Sequence, residues 1–224
     1  MLALRLGLSL GSPRPMGVWN PSDETSLEAW YQKGVGIVLN NDDVESWSDS
    51  STNSHDMVQG TATEQPAYDN GVLTFVAADT NNLQTSSQIS LPDEFTIGFK
   101  AQPEAYNNVI LGDNTTSNEF FKYSNTDRFQ IKIDGTLKTF SLDSGSWAND
   151  YIVLTRNGSG LIEFYKNGVR QADTETLAGT ADIDAIGVRA TDTNPFQGTV
   201  EEIQIYTTKD DTLTANLNAY LSGI

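Results

Sequence analysis

The sequence predicts an all-β protein: a two-sheet antiparallel jelly-roll sandwich with a short C-terminal helix and an extended N-terminal arm. Three observations predict it. Apolar residues alternate with polar ones along many short segments, which is the side-chain period of a strand with one buried face. Turn residues recur between these segments every eight to twelve positions, as in sandwiches and jelly rolls. Only the last stretch has helical spacing.

The chain opens on "LALRLGLSLG" (2–11), in which Leu2, Leu4, Leu6, Leu8 and Leu10 alternate with Ala3, Arg5, Gly7 and Ser9. This is an extended strand with one apolar face. Arg5 and Gly7 interrupt the run, and no charged region precedes an unbroken apolar core, so a cleaved secretion signal is not expected. Pro13 and Pro15 follow closely and favour a stiff, extended connector. We therefore divide the chain into an arm and hinge at 1–17 and a jelly-roll domain at 18–224. Burying five leucines would contribute about 7–15 kcal/mol, while ordering ten residues costs roughly 1–2 kcal/mol each. The arm gains almost nothing alone, and pairing with a partner sheet would tip the balance. The alternative is that it folds back as a strand of its own sandwich.

In the body, strands are expected at 27–31, 36–39, 71–76, 109–112, 119–123, 137–142, 184–189 and 199–206. "FTIGFKA" (95–101) sets Phe95, Ile97, Phe99 and Ala101 against Thr96, Gly98 and Lys100. "RFQIKIDG" (128–135) alternates Phe129, Ile131 and Ile133 with Gln130 and Lys132, then turns at Asp134-Gly135. Segment 150–171 holds apolar runs around Asn157-Gly158 and a further turn at Asn167-Gly168; Asn-Gly favours hairpins because both residues tolerate positive φ. In "DDTLTANLNAYLSG" (210–223), Leu213, Leu217, Tyr220 and Leu221 share one helical face and Gly223 stops the helix.

Composition limits the chemistry. Net charge is −17, from thirty acids against thirteen bases, which opposes binding to nucleic acid. No apolar run reaches the eighteen or so residues of a membrane helix. Cysteine is absent and His55 is the only histidine, so thiol chemistry, a disulfide and a site of several imidazoles are all excluded. His55 lies in a polar loop and reads as solvated or turn-bonded. Asn114-Thr115-Thr116 and Asn157-Gly158-Ser159 fit the glycosylation pattern but read as turns.

Segments "SLEAWYQ" (26–32), "VESWSDSSTNSHDMVQ" (44–59), "QPAYDNGVLTF" (65–75) and "AADTNNL" (77–83) occur in a telling order. With Trp147, "YIVLTRNGSGLIEFYKNGV" (151–169) and "FQGTVEEIQIY" (196–206), they resemble concanavalin A-like lectin/glucanase domains of the laminin G and pentraxin type. The resemblance covers about 18–224 and implies the jelly roll. Two departures weaken the metal binding it would imply: Ser54-His55-Asp56 replaces the family's Gly-Asn-Asp, and its acidic loop becomes Asp79-Thr80-Asn81-Asn82. The arm is similar to N-termini of structural proteins from tailed phages of marine bacteria.

The candidate sites follow. Trp47, with Asp49 and Asn53, would form a sugar platform; the alternative is a buried tryptophan opening a loop whose Asp49, Ser51 and Asn53 bond its own backbone. Asp79 with Asn81 and Asn82, Asp113 with Asn114, and Asp192 with Asn194 are the calcium candidates. Each cluster has one formal charge, too little for a strong site, so no cofactor is expected. The paired carboxylates of the family's glycan-cleaving members are missing. Glu201 and Glu202 are adjacent and should point to opposite faces, where they cannot cooperate. These features predict a non-enzymatic virion structural protein, on capsid, tail or fibre, held to other virion proteins and to copies of itself by Leu2, Leu4, Arg5, Leu6, Leu8 and Leu10. The alternative is a glycan-binding, host-adhesion module. No nucleic-acid or membrane partner is expected.

Overall fold

The computed structural model describes residues 19–148 and 150–224. The arm and hinge expected at 1–17 lie outside them. The first seven strands are β1 (Leu27–Tyr31), β2 (Ile37–Asn40), β3 (Asp43–Trp47), β4 (Met57–Val58), β5 (Ala67–Asp69), β6 (Val72–Phe75) and β7 (Leu83–Leu91). Next come β8 (Phe95–Pro103), β9 (Asn108–Gly112), β10 (Phe120–Asn125), β11 (Arg128–Ile133) and β12 (Thr136–Ser141). The last are β13 (Tyr151–Arg156), β14 (Leu161–Lys166), β15 (Val169–Arg170), β16 (Glu175–Thr176), β17 (Ala181–Ile186) and β18 (Gly198–Tyr206), before helix α1 (Asp211–Ser222).

All pairings are antiparallel, and they trace two layers. In sheet one, β1 and β6 share one side of β18, followed by β8, β13 and β14, with β15 and β16 on the outer flank of β14. Sheet two runs β2–β3–β4–β7–β17–β9–β10–β11–β12. Strand β5 bonds both β3 and β6 and joins the layers at one corner. This is the expected sandwich. Inward rows from both sheets meet in one core, including Phe95, Ile97 and Phe99 from β8 and Phe129, Ile131 and Ile133 from β11. Tyr123 sits at its aromatic centre, 5.1 Å from Trp147 and 5.2 Å from Phe129 by ring centroid.

The middle of sheet one is covered on its outer face as well. Helix α1 lays Leu213, Leu217 and Leu221 on its outer side, over Leu27, Trp30, Val153 and Tyr206. Those three leucines contribute about 1.5–3 kcal/mol each. Gly98 makes the close approach feasible, since a Cβ there would lie 2.6 Å from Leu217 Cδ2. The helix starts where the Asp210 carboxylate accepts from the N–H groups of Thr212 (2.8 Å) and Leu213 (3.0 Å). Among the described residues, no helix is long and apolar enough to cross a membrane.

Several local expectations are corrected. Strand β17 lies at 181–186 rather than 184–189, because Gly187 takes φ 91° and ends it. Strands β3, β4, β5, β7 and β16 have no counterpart among the expected strands. Asn167-Gly168 and Asp134-Gly135 are left-handed turns as read, but neither Asn157 nor Gly158 has positive φ. That connection is longer: Gly160 takes φ 80°, and the Asn157 side chain accepts from the N–H groups of Ser159 and Leu161.

Candidate functional site

Trp47 is fully buried between Tyr31 and the core, with its indole N–H on the Gln32 carbonyl at 3.1 Å. It offers no face to a sugar. The loop that follows closes the open edge of β1. Asp49 accepts from the N–H groups of Trp30 (2.9 Å), Ser51 (2.8 Å) and His55 (3.1 Å). Ser50 N–H bonds the Trp30 carbonyl, and Ser51 and Asn53 donate to the Glu28 carbonyl. The motif is therefore a strand cap. His55 is buried rather than solvated, its ring between the Ser87 carbonyl (2.8 Å) and the Glu28 carboxylate (2.9 Å).

Two of the three proposed calcium clusters come together. Asn114 Nδ2 donates to Asp192 at 3.2 Å, and the Asp192 N–H returns to Asn114 Oδ1 at 2.9 Å. Their oxygens are occupied by protein donors: Gln84 reaches Asp192 at 3.1 Å, while Thr115 and Gln88 reach Asp113. Asn81 is engaged elsewhere, accepting from Val76 N–H at 2.8 Å, and Asp79 lies beside it in the short turn 77–79. Among the described residues, no group of three or more His, Asp or Glu could hold a metal ion.

Glu201 and Glu202 do not point to opposite faces. A bulge between Val200 and Glu202 puts two residues of β18 against one of β8 and breaks the alternation. Lys33 Nζ meets Glu201 at 2.5 Å, and Lys33 N–H meets Glu202 at 2.6 Å. Glu202 is fully buried and also accepts from Trp30 Nε1 (2.5 Å) and Gln204 Nε2 (2.9 Å). Burial pushes its carboxyl above the ordinary glutamate value, against the pull of those hydrogen bonds.

A cleft of about 630 Å³ opens between β14 and α1. Ile162 and Phe164 of β14 face the core, so Glu163 and Tyr165 face outward, where the helix passes. Asp211, Thr214, Ala215 and Asn218 form the opposite wall, spaced three and four apart along one helix stripe. Lys209 closes one end; its ammonium bonds Asp211 and lies 4.0 Å from Glu163. The Asp211 hydrogen bond raises the Lys209 pKa and keeps it charged. Glu163 is also held by Arg170 at 2.8 Å. Asn218 spends its amide N–H on the Thr214 carbonyl (2.8 Å), while its Oδ1 is buried with no hydrogen-bond partner. The half-buried Tyr165 ring is thus flanked by two carboxylates and an ammonium, while the Thr214 hydroxyl is spent on the Asp210 carbonyl (2.7 Å). Such a set can hold a polyhydroxylated ligand by one apolar contact and several hydrogen bonds. The sequence signal for these residues was weak: the outward row of β14 and the uncovered helix stripe are legible, but not that they meet.

No family model matches the chain, and no curated protein matches it in sequence. Solved structures share the fold. Domain 4 of AbnA, an extracellular arabinanase from Geobacillus stearothermophilus solved with arabinotriose, is 17% identical, with a TM-score of 0.54 over 86% of this chain and 98% of that one. The ligand-binding domain of botulinum neurotoxin serotype D, in complex with N-acetylneuraminic acid, is 12% identical, with a TM-score of 0.52 over 88% of this chain and 51% of that one. The binding domain of Paraclostridial Mosquitocidal Protein 1 is 15% identical, with a TM-score of 0.50 over 90% and 53%. This chain thus spans about half the length of the last two.

Proposed function

We propose that this protein is a non-enzymatic glycan-binding module whose site is the cleft between β14 and α1. The observation that carries the reading is the composition of that cleft: one aromatic ring, Tyr165, ringed by Glu163, Lys209, Asp211, Thr214 and Asn218. The fold supports it, because the arabinanase domain and the toxin D domain were each solved with a sugar bound. Titration with arabinotriose, N-acetylneuraminic acid and neutral hexose oligomers should find a ligand that Tyr165→Ala weakens at least tenfold, about 1.4 kcal/mol. Lys209→Ala should weaken it similarly. No reducing ends should be released from the bound sugar. If both variants bind like the parent, the cleft is not the site.

A second reading, that the module is carried on a virion, is favoured by the leucine alternation at 2–10. Under it, deleting residues 1–11 abolishes incorporation into particles and leaves glycan binding intact. Unchanged incorporation would remove the reading.

A further inference from the structure

Of six large hydrophobic side chains exposed in the described residues, four gather at one margin: Val35 (44%), Val38 (50%), Leu39 (42%) and Val58 (48%). Val38 and Val58 flank Ser46 across neighbouring strands. Leu39 is the more telling residue. It lies opposite Val44, as Ile37 lies opposite Trp47, and both partners are fully buried in the core. Opposed residues of an antiparallel pair share a face, so Leu39 points toward the core layer and still stays exposed. Strand β2 pairs with β3 alone among the described residues, and its segment Ile37-Val38-Leu39-Asn40 carries no lysine, proline or charge to guard an open edge. The contrast is with β1, whose edge the Asp49–Asn53 loop seals.

The chain contains a segment that fits this edge. Residues 2–10 have a strand's period and one row of five leucines. Charge agrees as well: residues 1–22 hold two of the thirteen bases and none of the thirty acids. Residues 34–99 contain no lysine or arginine, and Asp42, Asp43 and Glu45 stand in the β2–β3 hairpin. The point of entry agrees with this edge. The described chain starts at Trp19, whose ring is 6.0 Å from Tyr220, itself 6.4 Å from Trp30. Loop 48–50 ties Trp30 (Ser50 N–H to its carbonyl, 2.8 Å) to Gly36 beside β2 (from Ser48 N–H, 2.9 Å). The entry point and β2 thus lie along one margin, and residues 11–18 span about 26 Å at roughly 3.3 Å each. A tethered segment also acts at high effective concentration.

We propose that the leucine segment 2–10 docks on β2 of its own chain as an added edge strand, its leucines covering Ile37 and Leu39 and Arg5 directed at the acids of the β2–β3 hairpin. This is independent of the glycan reading and competes with an anchor reserved for other proteins.

The absence of cysteine makes the test direct. Leu4→Cys, Leu6→Cys and Leu8→Cys are each combined with Leu39→Cys in the full chain, and separately with Leu137→Cys at the far end of sheet two. Under dilute oxidation at least one Leu39 pairing should close a disulfide within a monomer in most molecules, and the Leu137 pairings should not. Trypsin gives an independent readout without cysteines. Arg14 precedes Pro15, so Arg5–Leu6 is the sole susceptible bond before Lys33. That bond should be cut at least tenfold more slowly in the parent than in Leu39→Asp, a change at a half-exposed site whose folding is checked by circular dichroism. Disulfide-linked dimers would overturn the proposal in favour of exchange between copies. No link to Leu39 together with equal trypsin rates would overturn it outright.

Discussion

Gly98 sets how closely α1 lies on sheet one, because any side chain there would enter the space of Leu217. Gly98→Ala should destabilise the fold by about 1–3 kcal/mol, the usual cost of overpacking, read as a lower midpoint in thermal or urea unfolding. Leu217→Ala alone also destabilises, by opening a cavity. Combined, the two should cost less than their sum, because each relieves the other's defect. Strict additivity would mean that the helix is held away from Gly98. The residue also shows how a strand pattern can mislead. Thr96, Gly98 and Lys100 form the row opposite the apolar one, yet Thr96 is fully buried and the helix lies over the glycine.

At the scale of elements, the Asp49–Asn53 loop gives β1 an edge partner built from side chains. Asp49→Ala leaves the N–H groups of Trp30, Ser51 and His55 without their acceptor, and each such loss costs about 1–3 kcal/mol where the group is buried. Unfolding should shift by at least 2 kcal/mol, and amide exchange at Trp30 should accelerate first; an unchanged midpoint would show the loop to be ornamental. Elements with clean alternation are legible from sequence: β1, β8, β11 and β18 lie within a residue or two of where the apolar pattern puts them, and so does α1. Strand β7 is not, because Thr85-Ser86-Ser87-Gln88 is polar and its register shifts against β17 between Ile183 and Ala185. The bulge that turns Glu201 and Glu202 toward one lysine is equally silent. The cleft depends on β14 meeting a helix more than forty residues later in the chain, a juxtaposition that no local periodicity encodes.

For the molecule as a whole, acidity and burial together set the response to pH. Burial raises the carboxyls of Glu202, Asp184 and Glu119, the last two helped by the nearby Asp113 and Asp182. A raised value means that the folded chain binds these protons more tightly than the unfolded one. Their stabilising contribution is therefore full below the ordinary carboxylate range and is lost as pH rises through the raised values. Asp210 acts oppositely: the N–H groups at the start of α1 lower its value, so its contribution is lost in acid. The midpoint should accordingly fall as pH rises from the ordinary carboxylate range toward neutrality, and Glu119→Gln should flatten that fall. A midpoint that rises steadily from pH 5 to pH 8 would contradict the assignment.

The position of β18 has a consequence for how the chain reaches this state. It contacts β1, β6 and β8 at once, joining Leu27 to Tyr206 and Leu73 to Val200. Sheet one has no continuous middle until residues 198–206 are in place, so a polypeptide emerging from the ribosome must keep β1, β6 and β8 waiting. Those strands expose apolar faces and unpaired edges during the interval, and closure has to join very distant parts of the chain. Refolding should be slow, in the millisecond-to-second range of non-local β proteins, and most prone to aggregation before β18 inserts.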